Sequence, residues 1–238
     1  MTGPTDAGGG SNDAGGSSTD AGAGPVDAGS TFMLPVATLV SGACDTLTSA
    51  AVLLSSIDGG TDIDELASAV TALPFAFSLL GEPMTHFAAV TNGYLQLSTA
   101  ATFTPVVQAF PGAIPSNFAP NGIIAPLWCD LTQPATGYAS LSTQVFGSAP
   151  ARHFTAEWSN LTFYLGDGNN RVTFQAKLFE GTNAIEFHYC ALDTNGETTQ
   201  YEHGAGAVVG IEGSDGGAGV VSSSMQAILR TDAGIHFE

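Results

Sequence analysis

Val172-Thr173-Phe174-Gln175-Ala176-Lys177-Leu178, the turn Glu180-Gly181-Thr182-Asn183, and Ile185-Glu186-Phe187-His188-Tyr189 decide the fold class of this chain. Apolar and polar residues alternate on both sides of the turn. A period of two puts one set of side chains on each face of a pleated strand. Gly181 can adopt the positive φ of a tight hairpin without a Cβ penalty. Phe154-Thr155-Ala156-Glu157-Trp158 repeats the alternation just upstream. Three half-buried antiparallel strands imply a sheet with one wet face, and so a β-sandwich rather than a nucleotide-binding α/β enzyme.

Working outward, turn signals and short apolar segments alternate from Thr31 to the end. Asn92-Gly93 lies between Phe87–Val90 and Tyr94–Leu97, the strongest short hairpin signal a sequence carries. In Ile123–Trp128, Pro126 removes a ladder donor, so that segment reads as an edge strand or one that bends at the proline. Ala50–Leu54, Ala72–Leu80, Tyr138–Val145, Ala207–Ile211 and Met225–Leu229 add further strands. The stretch Asp64–Ala72 fits either a loop or a helical turn or two. The sum is one all-β antiparallel sandwich of about ten strands over residues 32–238.

Residues 1–31 are a different material. Asp-Ala-Gly recurs at Asp6, Asp13, Asp20 and Asp27 amid Gly, Ser, Thr and Pro. The seven-residue spacing lacks any large apolar residue to form a coiled-coil seam. Such a segment cannot offset its ordering entropy, so a disordered, flexible linker is expected. No charged n-region or apolar h-region follows Met1, and the expectation is that an export signal was removed ahead of it. No apolar run approaches the roughly 20 residues that span a bilayer, so direct membrane insertion is not expected.

Charge excludes further classes. Four Lys and Arg stand against 22 Asp and Glu, a net charge of −18, and no Lys or Arg precedes Arg152. Nucleic acid and anionic lipid both require clustered cations, and neither is an expected partner. The acidity points to a solvated exterior surface or to divalent cations.

Several segments, in order, resemble the nidogen-like extracellular domain. Leu73-Pro74-Phe75-Ala76-Phe77 followed by Thr91-Asn92-Gly93-Tyr94-Leu95 is similar to its opening. Asn121–Leu131 resembles its segment ending in Trp, an acidic pair and Leu, and Ala149–Phe154 with Glu157–Asn160 its arginine-to-tryptophan strand. Thr173–Asn183 with Ile185–Phe187 resembles its hairpin, and Val209–Glu212 with Asp215-Gly216 its closing strand and turn. Relatives occur in basement-membrane and mucin-type adhesive proteins and in bacterial surface proteins, and the Asp-Ala-Gly segment resembles the tethers of surface lipoproteins. The resemblance implies an extracellular or outer-surface interaction module with no catalytic residues to carry over. Its partner would be a protein or glycan at the cell surface, or further copies of itself.

Against that family pattern, Cys129 stands where an acidic residue is usual and Cys190 where a small one is. The paired departure implies a Cys129–Cys190 disulfide, leaving Cys44 over. Alternation places Cys190 with Glu186 and His188, while the facing of Cys129 depends on the bend at Pro126.

The chain carries no zinc-ligand spacing, nucleophile elbow or P-loop. Glu157 and Glu186 are the one carboxylate pair with enzymatic potential, in a glycan-binding or glycan-cleaving jelly roll. No cofactor is expected except calcium: Asp58-Gly59-Gly60-Thr61-Asp62-Ile63-Asp64-Glu65 gathers the hard oxygens of Asp58, Asp62, Asp64 and Glu65, without EF-hand spacing.

Overall fold

A computed structural model describes residues 33–56, 62–166, 170–192 and 202–238. The described residues are all-β, with fourteen strands in two antiparallel sheets in a sandwich-like arrangement. In chain order these are β1 (Ala37–Ser41), β2 (Ala51–Ser55), β3 (Thr71–Leu79), β4 (Glu82–Val90), β5 (Tyr94–Ser98), β6 (Ile123–Trp128) and β7 (Leu131–Thr132). They continue with β8 (Ser140–Phe146), β9 (His153–Phe163), β10 (Val172–Phe179), β11 (Ile185–Leu192), β12 (Val208–Glu212), β13 (Gly219–Ser224) and β14 (Ala233–Phe237). One sheet runs β1-β14-β11-β10-β9-β8-β2 with β7 added to the end of β9; the other runs β13-β12-β6-β5-β4-β3. The first is called the wet sheet below, the second the covered sheet.

The alternation in β9, β10 and β11 sorts side chains as expected. Phe154, Ala156, Trp158, Phe174, Ala176, Leu178, Ile185, Phe187 and Tyr189 point inward and form the core with Phe87, Leu95, Ile124, Leu127 and Val209 of the covered sheet. Trp158 is fully buried and stacks on Phe174 at 5.2 Å. Polar tips in this core are satisfied across the sandwich. Trp158 Nε1 donates to the Val90 carbonyl at 2.8 Å, and the Tyr189 hydroxyl to the Pro126 carbonyl at 2.8 Å.

One local expectation is corrected and two open alternatives are decided. Met225–Leu229 is not a strand, because the chain turns there and the last strand is Ala233–Phe237. Asp64–Ala72 is not helical; Ala67 forms an isolated bridge to Val90. Pro126 lies in an interior strand, where a register shift opposite Val208–Gly210 accommodates the missing donor. That bulge sends Leu127 and Cys129 into the inter-sheet core and Trp128 to the outer face.

The outer face of the covered sheet explains why β6 and β12 are buried throughout. The long segment between β5 and β6 lies over it. Trp128 Nε1 donates to Gln108 O at 2.9 Å and the Tyr94 hydroxyl to Val106 O at 2.6 Å, while Gln96 Oε1 accepts from Val106 N at 2.8 Å. Tyr94, Trp128, Ile114, Ile123 and Val208 make a second small core beneath it.

The same cover buries Glu212, whose carboxylate accepts the Ser116 N–H. Burial, and then the charge of Asp215, push this carboxyl up to about 7 from 4.5, against the opposing pull of the Ser116 bond. Between those values the folded state holds a proton that the unfolded chain has released, so stability falls as pH rises. Denaturant melts from pH 4.5 to 7.5 are expected to show Glu212→Gln flattening this fall by roughly 1–3 kcal/mol. An identical pH profile in the variant would remove Glu212 as the source.

Candidate functional site

Two polar constellations stand out, one on the wet sheet and one at the end of the covered sheet.

The register of the wet sheet aligns its outward residues in rows. Gln144, Thr155, Lys177, Glu186 and His236 face one another across β8, β9, β10, β11 and β14. Ser142, Glu157, Gln175 and His188 form the next row. The chain leaving β1 at one edge must reach β2 at the other, so residues 42–50 cross these rows as a strap. Cys44 is disulfide-bonded to Cys190 on β11. Asp45 N donates to Gln175 Oε1 and Gln175 Nε2 to Asp45 O, both at 2.9 Å, as a neighbouring strand would. Ser49 N donates to Gln144 Oε1 at 2.8 Å on β8. At Gly42 an added Cβ would lie 2.2 Å from His188 Cε1, so a larger residue there would have to displace that ring.

Beneath the strap, Asp45 collects the charge. Its Oδ1 lies 3.3 Å from Lys177 Nζ, and its Oδ2 accepts from Thr155 Oγ1 at 2.6 Å and lies 3.0 Å from His153 Nε2. Burial alone would raise the Asp45 carboxyl, but Thr155, Lys177 and His153 together hold it below the usual range. Glu186 is likewise lowered despite burial, by hydrogen bonds from His188 at 2.9 Å and His236 at 3.1 Å.

This arrangement corrects the cysteine expectation. Cys190 points outward on the wet sheet, and Cys129 points into the inter-sheet core, where it is a free thiol. The two cannot share one side of a strand pair, and Cys44 takes the place assigned to Cys129. Glu157 and Glu186 share the outer face but stand on β9 and β11, with β10 between them. Two strand spacings of ~4.8 Å each exceed the ~5 Å of a retaining glycosidase pair. Each is also engaged, Glu157 by Gln175 Nε2 at 2.7 Å and Glu186 by the histidines.

The second constellation forms where the β4–β5 turn meets the β6–β7 corner. Thr91-Asn92-Gly93 makes the turn, with Gly93 at φ 80° and so close to Leu127 that an added Cβ would lie 1.8 Å from its carbonyl oxygen. Asn92 is fully buried: its Oδ1 accepts Leu131 N at 3.0 Å, and its Nδ2 donates to Glu65 Oε1 at 3.3 Å. Thr91 Oγ1 accepts Leu66 N at 3.0 Å. These bonds draw the segment 63–66 and the corner 129–131 to one point, where ligand oxygens of Asp64, Glu65 and Asp130 lie within 4.8 Å of one another. Burial first, then Glu65 and Asp64, push the Asp130 carboxyl up to about 6, and Asp64 is raised by burial and its acidic neighbours.

Of the residues read as a calcium loop, the structure thus brings Asp64 and Glu65 together. Asp62 lies alongside, its Oδ1 accepting Asp64 N at 2.9 Å, and Asp58 lies outside the described residues. Asp130 and the organising Asn92 were not singled out as site residues, because nothing in spacing links positions so far apart. The sole trace in the sequence was that both fall in segments carrying the family resemblance.

An all-β, disulfide-strapped module is the class these features define. The chain belongs to the nidogen-related family: residues 37–234 match the family model described as NIDO related. No curated protein and no solved structure gives a match. Family membership points to an extracellular module, and no helix among the described residues is long and apolar enough to cross a membrane.

Proposed function

We propose that this protein is a non-catalytic extracellular or cell-surface interaction module, of adhesion or matrix type, held on residues 1–31 as a tether. The observation that carries this reading is the Cys44–Cys190 disulfide, since such bonds persist in oxidising compartments outside the cytosol. The nidogen-related match supports the interaction role. The strap and the segment between β5 and β6 cover parts of the two outer faces, which leaves loops and edges to meet a surface protein or glycan. Phe110 and Phe118, 69% and 85% exposed on the segment over the covered sheet, are the apolar side chains such a contact would bury.

The test has two arms on the full chain. On intact expressing cells, an impermeant protease is expected to release the domain, with Cys44 and Cys190 oxidised; protease-protected protein with three reduced thiols would overturn the reading. Labelled protein added to such cells should bind, and Phe110→Ser/Phe118→Ser should lower binding about tenfold while the melting midpoint holds. Equal binding by that variant removes this loop as the contact.

A further inference from the structure

The strongest unabsorbed feature of the molecule is the meeting of Asp64, Glu65 and Asp130. The adjacent Asp64 and Glu65 meet the distant Asp130, and among the described residues none of the three forms an ion pair with a Lys, Arg or His. Such a gathering is unfavourable unless something positive sits in it. Two independent details point into the gap. Asp130 is only 8% exposed, yet no hydrogen bond to its carboxylate exists among the described residues. Asp64 Oδ1 is shut off from solvent with no partner at all. A carboxylate oxygen shut off without a donor, as Asp64 Oδ1 is, is rare because it forfeits its hydration.

From this geometry we propose a calcium-binding site formed by Asp64, Glu65 and Asp130. The chemistry of the donors selects the ion. All are hard oxygens, and Cys129, the nearest soft atom in sequence, turns its Sγ into the core toward Leu127 O. Zinc and copper, which favour sulfur and imidazole, are therefore poorly served. Oxygens sharing one calcium at about 2.4 Å can lie up to about 4.8 Å apart, whereas magnesium at about 2.1 Å needs a tighter cage. The three ligand oxygens lie within 4.8 Å of one another, a spread one calcium can bridge. Asn92 is a positioning residue here: both ends of its amide are spent holding Glu65 and the Leu131 backbone, so it sets the carboxylates rather than ligating.

The consequence is structural. A bound ion ties the segment 63–66 directly to the β6–β7 corner, two pieces that Asn92 of the β4–β5 turn otherwise bridges by hydrogen bonds. Three carboxylates without a dedicated loop suit an affinity near 10⁻⁴–10⁻³ M, the range of extracellular calcium modules. The site stands independently of the surface-interaction reading, because its test is made on purified protein.

The experiment is calorimetric titration and thermal melting of the full chain after chelator treatment, with calcium chloride and with magnesium chloride. Wild type is expected to bind one calcium. Its midpoint should rise about 3–5 °C at 5 mM calcium and much less with magnesium. Asp130→Asn relieves the crowding, so its calcium-free midpoint should not fall, while calcium binding weakens at least tenfold. Glu65→Gln gives a second readout that does not touch the buried position, with the same loss of calcium response. No binding by wild type at 5 mM overturns the proposal, as does an undiminished calcium response in both variants.

Discussion

Replacing Cys44 and Cys190 together by Ser is expected to lower the melting midpoint by about 10 °C. The bond closes a loop with a sequence separation of 146 residues. In the chain-entropy picture, opening a loop that long frees the unfolded state by up to about 5 kcal/mol. Measured losses for native disulfides run at about 2–5 kcal/mol, and each kcal/mol moves the midpoint of a domain this size by about 2–4 °C. The position of the bond adds a local effect. Cys44 sits where the strap leaves β1, so without the bond the strap loses its covalent cross-link to β11 in the middle of the wet sheet. Reductant should reproduce the loss in wild type and do nothing further to the double variant. Thiol titration separates the pairings: no thiol should react in the native protein, and one, Cys129, should react after unfolding without reductant. An unmoved midpoint under reductant, or a peptide joining Cys129 to Cys190 after cleavage at Glu65 and Glu82, would refute this assignment.

The cysteines also show where reading the sequence stopped. Alternation put Cys190 on the outward face correctly, because a period of two over Ile185–Tyr189 admits one solution. It could not place Cys129, since the bulge at Pro126 resets the facing of every residue after it. The partner came instead from residue 44, in a connection whose path depends on β1 and β2 lying at opposite edges of one sheet. Edge placement is a property of the whole topology, and β1, β7, β13 and β14 carry weak local signals: short, with few large apolar residues, or pairing with only part of a neighbour. The strong hairpins at Gly181 and Gly93 were legible because glycine and alternation agree there. The candidate cation site was half legible for a related reason. Asp64 and Glu65 advertise themselves as neighbours in an acidic run, whereas Asp130 joins them through Asn92, which bonds the Glu65 carboxylate and the Leu131 backbone.

The second large effect concerns the ion pair under the strap, where Lys177→Met is expected to cost about 2–4 kcal/mol. The Lys177 side chain is only 7% exposed, and its ammonium contacts Asp45 Oδ1 at 3.3 Å and the Ala43 carbonyl at 3.1 Å. An ion pair buried this way contributes little net stability over an apolar pair, because two desolvation penalties offset its attraction. Removing one partner is different: the survivor stays desolvated without its counter-charge. For Lys177→Met the survivor is Asp45, which keeps Thr155 and His153, so the loss falls at the lower end of that class. Asp45→Asn should cost more, about 3–5 kcal/mol, because the stranded ammonium retains only a carbonyl. The double variant Asp45→Asn/Lys177→Met should then be milder than the sum of the two, with a coupling of about 1.5–3 kcal/mol from chemical denaturation. Strict additivity would mean that Lys177 and Asp45 do not sense each other, and that the strap is held by the disulfide and its other hydrogen bonds. Hydrogen exchange distinguishes the two mechanisms locally. If the ion pair clamps the strap, amides of residues 42–49 exchange faster in Lys177→Met with the disulfide intact, while those of the buried β10–β11 ladder do not.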